Sequence, residues 1–147
     1  MATRHAMRSV DAAWLHMDRP TNLMVINSLL WFDEPVDWRR CREVFHERIV
    51  ERFDRFRQCA VEGVAGTGAH WEDVGELELD LHFHHVALPA PGDRHALQEL
   101  FSDRASTTLD RARPLWEVHF IDGFGAGSAL LVRVHHSIAD GIALARG

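Results

Sequence analysis

Ala129-Leu130-Leu131-Val132-Arg133-Val134-His135-His136-Ser137-Ile138-Ala139-Asp140-Gly141 is the stretch from which the fold is read. Its first six residues are Leu- and Val-rich, the composition of a strand set inside a sheet. Upstream, Trp116 to Asp122 has the same apolar character, and Gly123-Phe124-Gly125-Ala126-Gly127 separates the two runs. Two strand-like runs around a glycine-rich connection predict an antiparallel pair, here Trp116–Asp122 with Ser128–Val134. The glycines do not read as a phosphate loop, because no helix and no Lys-Ser/Thr follow them. The residues Gly141 to Gly147 suit the first turns of an apolar helix, and the two histidines stand where the strand ends.

Toward the amino terminus, Val10 to His16 suits a short helix with Ser9 as its N-cap. Asn22 to Phe32 is a nearly continuous apolar run between Pro20 and Asp33-Glu34-Pro35 and reads as a buried strand. Asp37 is placed to cap a helix from Trp38 to about Asp54. Along it Trp38, Cys41, Phe45, Ile49, Phe53 and Phe56 recur every three or four residues and form one core-facing stripe, with Arg and Glu on the other side. Phe56–Glu62 and Ala69–Val74 then read as a hairpin around a Gly63–Gly68 turn. Leu77, Leu79, Leu81 and Phe83 alternate with Glu78, Asp80, His82 and His84, the period of a half-buried strand. Pro89-Ala90-Pro91-Gly92 breaks the chain. Asp93 caps a second amphipathic helix carrying Leu97, Leu100, Phe101 and Ala105. Arg113-Pro114 stops any helix there. Strands mixed with helices in this order predict an α/β architecture, a mixed sheet with flanking helices.

Composition narrows the function classes. The 147 residues suit one domain, and 46% hydrophobic with 26% charged residues is ordinary for a globular protein. A net charge of -6 gives no basic footprint for nucleic acid. No apolar run reaches the ~18 residues of a membrane-spanning helix, and the first residues lack the apolar core of a signal peptide. The expected location is the cytoplasm. Cys41 and Cys59 form no Cys-x-x-Cys pair and read as reduced, partly buried thiols. His82, His84 and His85 cluster, but two histidines on one strand face lack the third and fourth ligands of a stable metal site. They read as a solvated strand face, with no metal site and no bound cofactor expected. Because Gly141–Gly147 has the apolar character of an unfinished helix, the chain is expected to be part of a longer protein.

The chemistry concentrates in His135-His136-Ser137-Ile138-Ala139-Asp140-Gly141. A histidine ionises near neutral pH and serves there as a general base. In a helical turn Asp140 lies on the same face as His136, four residues on. Gly141 allows close approach of backbone or ligand.

His-His-x-x-x-Asp-Gly resembles the signature of the coenzyme A-dependent acyltransferase superfamily, which includes chloramphenicol acetyltransferase, the condensation domains of peptide synthetases and the wax ester synthase/diacylglycerol acyltransferases. Further stretches are similar to the last group: Ser9-Val10-Asp11-Ala12-Ala13-Trp14-Leu15 followed by Pro20-Thr21-Asn22; Phe56-Arg57-Gln58; and Leu109-Asp110-Arg111-Ala112-Arg113-Pro114-Leu115-Trp116-Glu117, which resembles its Pro-Leu-Trp motif. The resemblance runs over essentially the whole chain. It implies a chloramphenicol acetyltransferase-like fold, of which residues 1–147 are the amino-terminal half, with a second half or a partner chain completing the site. It implies transfer of a long-chain acyl group from acyl-CoA, as co-substrate, to a fatty alcohol or diacylglycerol. His136 is then the base, His135 orients the motif, Asp140 holds the loop through a salt bridge to an arginine, and Gly141 keeps the loop tight. Pro114, Leu115 and Trp116 are packing elements. Lipid substrates imply peripheral contact with a membrane or lipid droplet. A peptide-condensation domain and a non-catalytic truncated remnant are the alternative readings of the same motif.

Overall fold

A computed structural model describes residues 3–63 and 68–145. The chain opens with a short strand β1 (Arg4–Ala6) and helix α1 (Ser9–Met17), followed by strand β2 (Val25–Phe32) and helix α2 (Trp38–Phe45). Strands β3 (Gln58–Val61), β4 (His70–Asp73) and β5 (Phe83–Ala87) lead to helix α3 (Arg94–Ala105). Strands β6 (Trp116–Phe124) and β7 (Gly127–His135) run directly into helix α4 (His136–Ala145). The strands form two sheets, a small antiparallel one ordered β1-β4-β3 and a larger one ordered β2-β7-β6-β5. In the larger sheet β5 and β6 are parallel and the other pairs antiparallel. This is the mixed sheet with flanking helices read from the sequence.

Two of the three expected helix caps hold, Asp37 and Asp93. The Asp37 carboxylate accepts the Arg39 and Arg40 amides at 2.9 and 3.1 Å, and Asp93 accepts the Ala96 amide at 2.9 Å. These bonds satisfy donors that a helix's first turn leaves unpaired. Ser9 is not a cap: it is the first residue of α1, and Arg8 occupies the cap position without a capping side chain. Arg8 is engaged instead by Asp11, a buried carboxylate that accepts its Nε at 3.1 Å and its Nη2 at 2.9 Å. Beyond Phe45, α2 widens into a π-turn, His46–Val50, closed by the Glu51 amide on the His46 carbonyl at 2.9 Å. The helix therefore ends before Asp54. Its stripe still packs as expected, with Trp38, Cys41, Phe45, Ile49 and Phe53 against buried Phe56, Trp71 and Trp116.

That cluster covers one face of the larger sheet, joined by Leu15, Val118, Phe120, Leu130 and Ile138. A second cluster lies on the other face, where Leu97 of α3 meets Ile121, Ala129 and Leu131. The antiparallel β6–β7 pair turns at Gly125-Ala126 and sits at the centre, buried along most of its length. The β3–β4 hairpin forms as read, and residues 64–67 of its turn lie outside the described residues.

Two strand readings are corrected. The run ending at Phe32 is a strand, but an edge strand: among the described residues β2 pairs only with β7, and Ile26, Leu30, Trp31 and Phe32 are exposed. A continuous apolar run does not distinguish a strand covered on both faces from one at a sheet border. The alternating segment from Leu77 is not a strand over its length. Leu79–Leu81 is a 3-10 turn, and pairing begins only at Phe83. The His82 carbonyl then accepts the Val118 amide at 2.7 Å, which starts the parallel ladder with β6.

Candidate active site

The histidine pair lies where β7 passes into α4. The ladder with β2 continues one residue past the strand, because the His136 amide donates to the Met24 carbonyl at 2.8 Å. Alternation along β7 therefore sends His135 and His136 to opposite faces of the sheet.

His135 is buried, and its amide donates to the Leu115 carbonyl at 3.0 Å. Its Nδ1 accepts the Ser137 amide at 3.1 Å and meets the Ser137 hydroxyl at 2.8 Å. With Nδ1 occupied as an acceptor, these bonds assign the ring proton to Nε2. Nε2 faces Asp18 Oδ2 at 3.5 Å, too long for a good hydrogen bond. Burial pushes the imidazole below its ordinary pKa, while the Asp18 charge opposes that shift. Asp18 also accepts the Met24 amide at 2.8 Å and Arg111 Nη2 at 3.2 Å. Arg111 Nη2 reaches the Leu15 carbonyl at 2.9 Å, and Arg19 and Asn22 close a tight turn around Pro20-Thr21. The opening segment and the segment before Pro114 are thus fastened together beneath the histidine motif.

His136 is in a different situation. It is half-buried, and its ring stacks on the indole of Trp14 with centroids 4.4 Å apart and planes 18° from parallel. Among the described residues neither ring nitrogen has a hydrogen-bond partner. Asp140 accepts the Trp14 Nε1–H at 2.6 Å. Among the described residues it forms no ion pair with an arginine, so the indole takes the place expected for a guanidinium. Gly141 lies on α4, and its surroundings lie outside the described residues.

Pro114, Leu115 and Trp116 are all buried. The Trp116 Nε1–H donates to the Phe56 carbonyl at 2.9 Å, and its ring packs on Phe45 and Phe56. Sequence reading missed Trp14, which the chain places 126 residues from Asp140. It missed Arg133 as well. That side chain is fully buried and donates to Asn27 Oδ1 at 2.8 Å, Thr107 Oγ1 at 3.1 Å, the Thr107 carbonyl at 2.5 Å and Glu117 Oε1 at 2.5 Å. Burial works to raise the Glu117 carboxyl. Hydrogen bonds from His119 and Arg133, with their charges, outweigh it and bring the group down to about 2. The one visible signal was a lone arginine inside an apolar strand, a charge that has to be paired if the strand is buried.

The three clustered histidines do not form a solvated strand face. His82 is buried outside the strand, stacks on Trp116 at 4.5 Å and donates through Nδ1 to its carbonyl at 2.7 Å. His84 stacks on His119, while His85 pairs with Asp122 and stacks on Trp38. Each ring is used separately.

A mixed sheet whose central strand delivers a His-His pair into a helix that carries Asp four residues on defines a chloramphenicol acetyltransferase-like acyltransferase fold. The family model described as the wax ester synthase/diacylglycerol acyltransferase catalytic domain matches residues 7–146, and the chain belongs to that family. An O-acyltransferase of Acinetobacter baylyi is 43% identical over 77 residues, 52% of this chain and 17% of its own length. Among solved structures, the wax ester synthase/diacylglycerol acyltransferase of Marinobacter aquaeolei VT8 superposes with a TM-score of 0.78 at 28% identity, covering 97% of this chain and 35% of that one. The starter condensation domain of rhizomide synthetase matches at 0.70 with 16% identity, covering 97% and 36%, and so shares the fold. The chain spans about a third of the length of these solved relatives.

Proposed function

We propose that this chain carries the general-base centre of an O-acyltransferase that moves a long-chain acyl group from acyl-CoA to a fatty alcohol or diacylglycerol. The observation that carries the reading is His136. It is the second histidine of the motif, its plane is held by a stacked indole, and among the described residues both ring nitrogens lack a protein partner. A free imidazole nitrogen accepts the proton of the acceptor hydroxyl as its oxygen bonds to the thioester carbonyl. Collapse of the tetrahedral adduct breaks the carbon–sulfur bond. The imidazolium returns the proton to the leaving thiolate, so ester and free coenzyme A are the products.

His135, buried and bonded to Ser137, acts in this reading as the anchor that fixes where β7 ends. Residues 1–147 form the amino-terminal part of the catalytic unit, and further chain completes the channel. Relatives about three times as long support this. The long acyl substrates would bring the protein into peripheral contact with lipid surfaces. Among the described residues no helix is long and apolar enough to cross a membrane.

The test is thiol release from palmitoyl-CoA with hexadecanol or dioleoylglycerol as acceptor, measured on this chain and on one extended to the length of its relatives, beside His136→Ala and beside an acyl-carrier thioester donor. The reading expects acceptor-dependent release from the CoA donor, lost on substitution. Transfer from the carrier donor alone would replace it with the condensation reading. Failure of both donors in the folded, extended chain would favour the non-catalytic one.

A further inference from the structure

We infer that Trp14 is a positioning residue for the His136 base, doing with an aromatic face what a hydrogen-bonded carboxylate does for many catalytic histidines. This rests on the reading of His136 given above. A base must present one nitrogen at a fixed angle, and the usual device is a hydrogen bond from the other nitrogen to a carboxylate or carbonyl. Among the described residues His136 has no such bond, and the nearest motif carboxylate, Asp140, is turned to Trp14 at 2.6 Å. What holds the imidazole is the near-parallel indole at 4.4 Å. A stacked arrangement fixes the ring plane without engaging either ring nitrogen.

The indole is itself held from two sides. From α1, Leu15 is buried in the core next to it and the Arg8–Asp11 pair fastens the helix start. From α4, the Asp140 carboxylate takes its N–H in a short, charge-assisted bond. Asp140 and His136 share one face of α4, so a single side chain from α1 spans both. In this arrangement Asp140 acts on the base through Trp14, which explains an acidic residue four positions after His136 that bonds the indole rather than the imidazole. The motif is therefore incomplete without a residue 122 positions upstream of His136.

The experiment reads the His136 ring signals from this chain with isotope-labelled histidine and tryptophan, and acyl-transfer kinetics from the chain extended to the length of its relatives. In the wild type the His136 ring protons are expected upfield, with Overhauser cross-peaks to the Trp14 indole, whose N–H signal moves in Asp140→Asn. Trp14→Phe keeps an aromatic face without the N–H, and Trp14→Leu removes both. The ring shift persists in Trp14→Phe and is lost in Trp14→Leu, with the rest of the spectrum retained. Misplacing a reacting group by about 1 Å costs on the order of 100-fold, so kcat falls roughly 10- to 100-fold in Trp14→Leu and is largely rescued in Trp14→Phe, while KM for the acyl donor stays within about two-fold. Unmoved His136 signals and unchanged kcat in folded Trp14→Leu overturn the inference. Should that variant unfold, absence of the Trp14–His136 cross-peaks in the wild type overturns it instead. Shifted ring signals in a wild type that transfers no acyl group count against the acyltransferase reading and leave the clamp standing.

Discussion

Replacing Glu117 by Gln tests whether the charge cluster under the histidine strand is a paired unit. Arg133 is fully buried two residues before His135, and Glu117 is the carboxylate that faces it across the β6–β7 ladder. The fall of Glu117 from an ordinary 4.5 to about 2, at ~1.4 kcal/mol per pH unit, is worth about 3 kcal/mol as an upper bound. The folded-state value lies below the unfolded one. The stabilisation is therefore fully present above about pH 4.5 and drains away as pH falls toward 2. Glu117→Gln cannot ionise, so it loses the stabilisation at every pH. Urea unfolding of wild type and variant should give a gap of about 3 kcal/mol at pH 7, narrowing to about 1 kcal/mol at pH 3. Taking the difference cancels the other carboxylates, including Glu72 and Asp73, which are also depressed, by hydrogen bonds from His70 and from Gln58 respectively. A gap that does not change between pH 7 and pH 3 would refute the pairing.

Other outcomes follow from single contacts. Arg133→Met leaves half-buried Glu117 without its arginine and should cost about 3 kcal/mol, whereas the double variant with Glu117→Leu recovers most of that loss in the same assay. Gly127→Ala should unfold more readily by more than ~1 kcal/mol, because an added Cβ would lie 1.8 Å from the Phe32 carbonyl oxygen where β2 meets the hairpin; thermal melting checks it. Trp116→Ala empties the packing between Phe45 and Phe56 and orphans the Phe56 carbonyl, so about 3–5 kcal/mol of stability is lost in urea titrations. Asp37→Ala removes the cap on α2 and should cost about 1 kcal/mol, without effect on the His136 ring signals.

Features set by local chemistry were legible in the sequence. Asp37 and Asp93 act over two or three residues, and the glycine-rich connection between β6 and β7 is a turn by composition alone. The α2 stripe was legible because every third or fourth residue is large and apolar. The histidine motif was legible as a strand-to-helix junction for the same reason. Features that depend on who lies opposite were not. Nothing in Val25–Phe32 says that it has one neighbour rather than two, since pairing is decided by β7 and by the absence of a further partner among the described strands. The alternation from Leu77 to His84 has a strand's period, but the His82 ring finds the Trp116 carbonyl and indole, and the Leu81 and His82 amides close a tight turn onto Glu78 and Leu79. Tertiary bonds to a buried tryptophan outweigh a weak periodic preference.

The same limit explains the histidine site. Offsets within seven residues disclose His136 and Asp140, and helical geometry puts them on one face. That geometry alone leaves Asp140 free to meet an arginine, His136 or solvent. The choice is made by α1, whose Leu15 is buried in the core and whose start is fixed by Arg8 and Asp11, so that Trp14 is delivered between the two motif residues. Once the indole is there, direct contact between Asp140 and the imidazole is no longer needed to orient the ring. The opening helix is thereby a working part of the site rather than a cover for it.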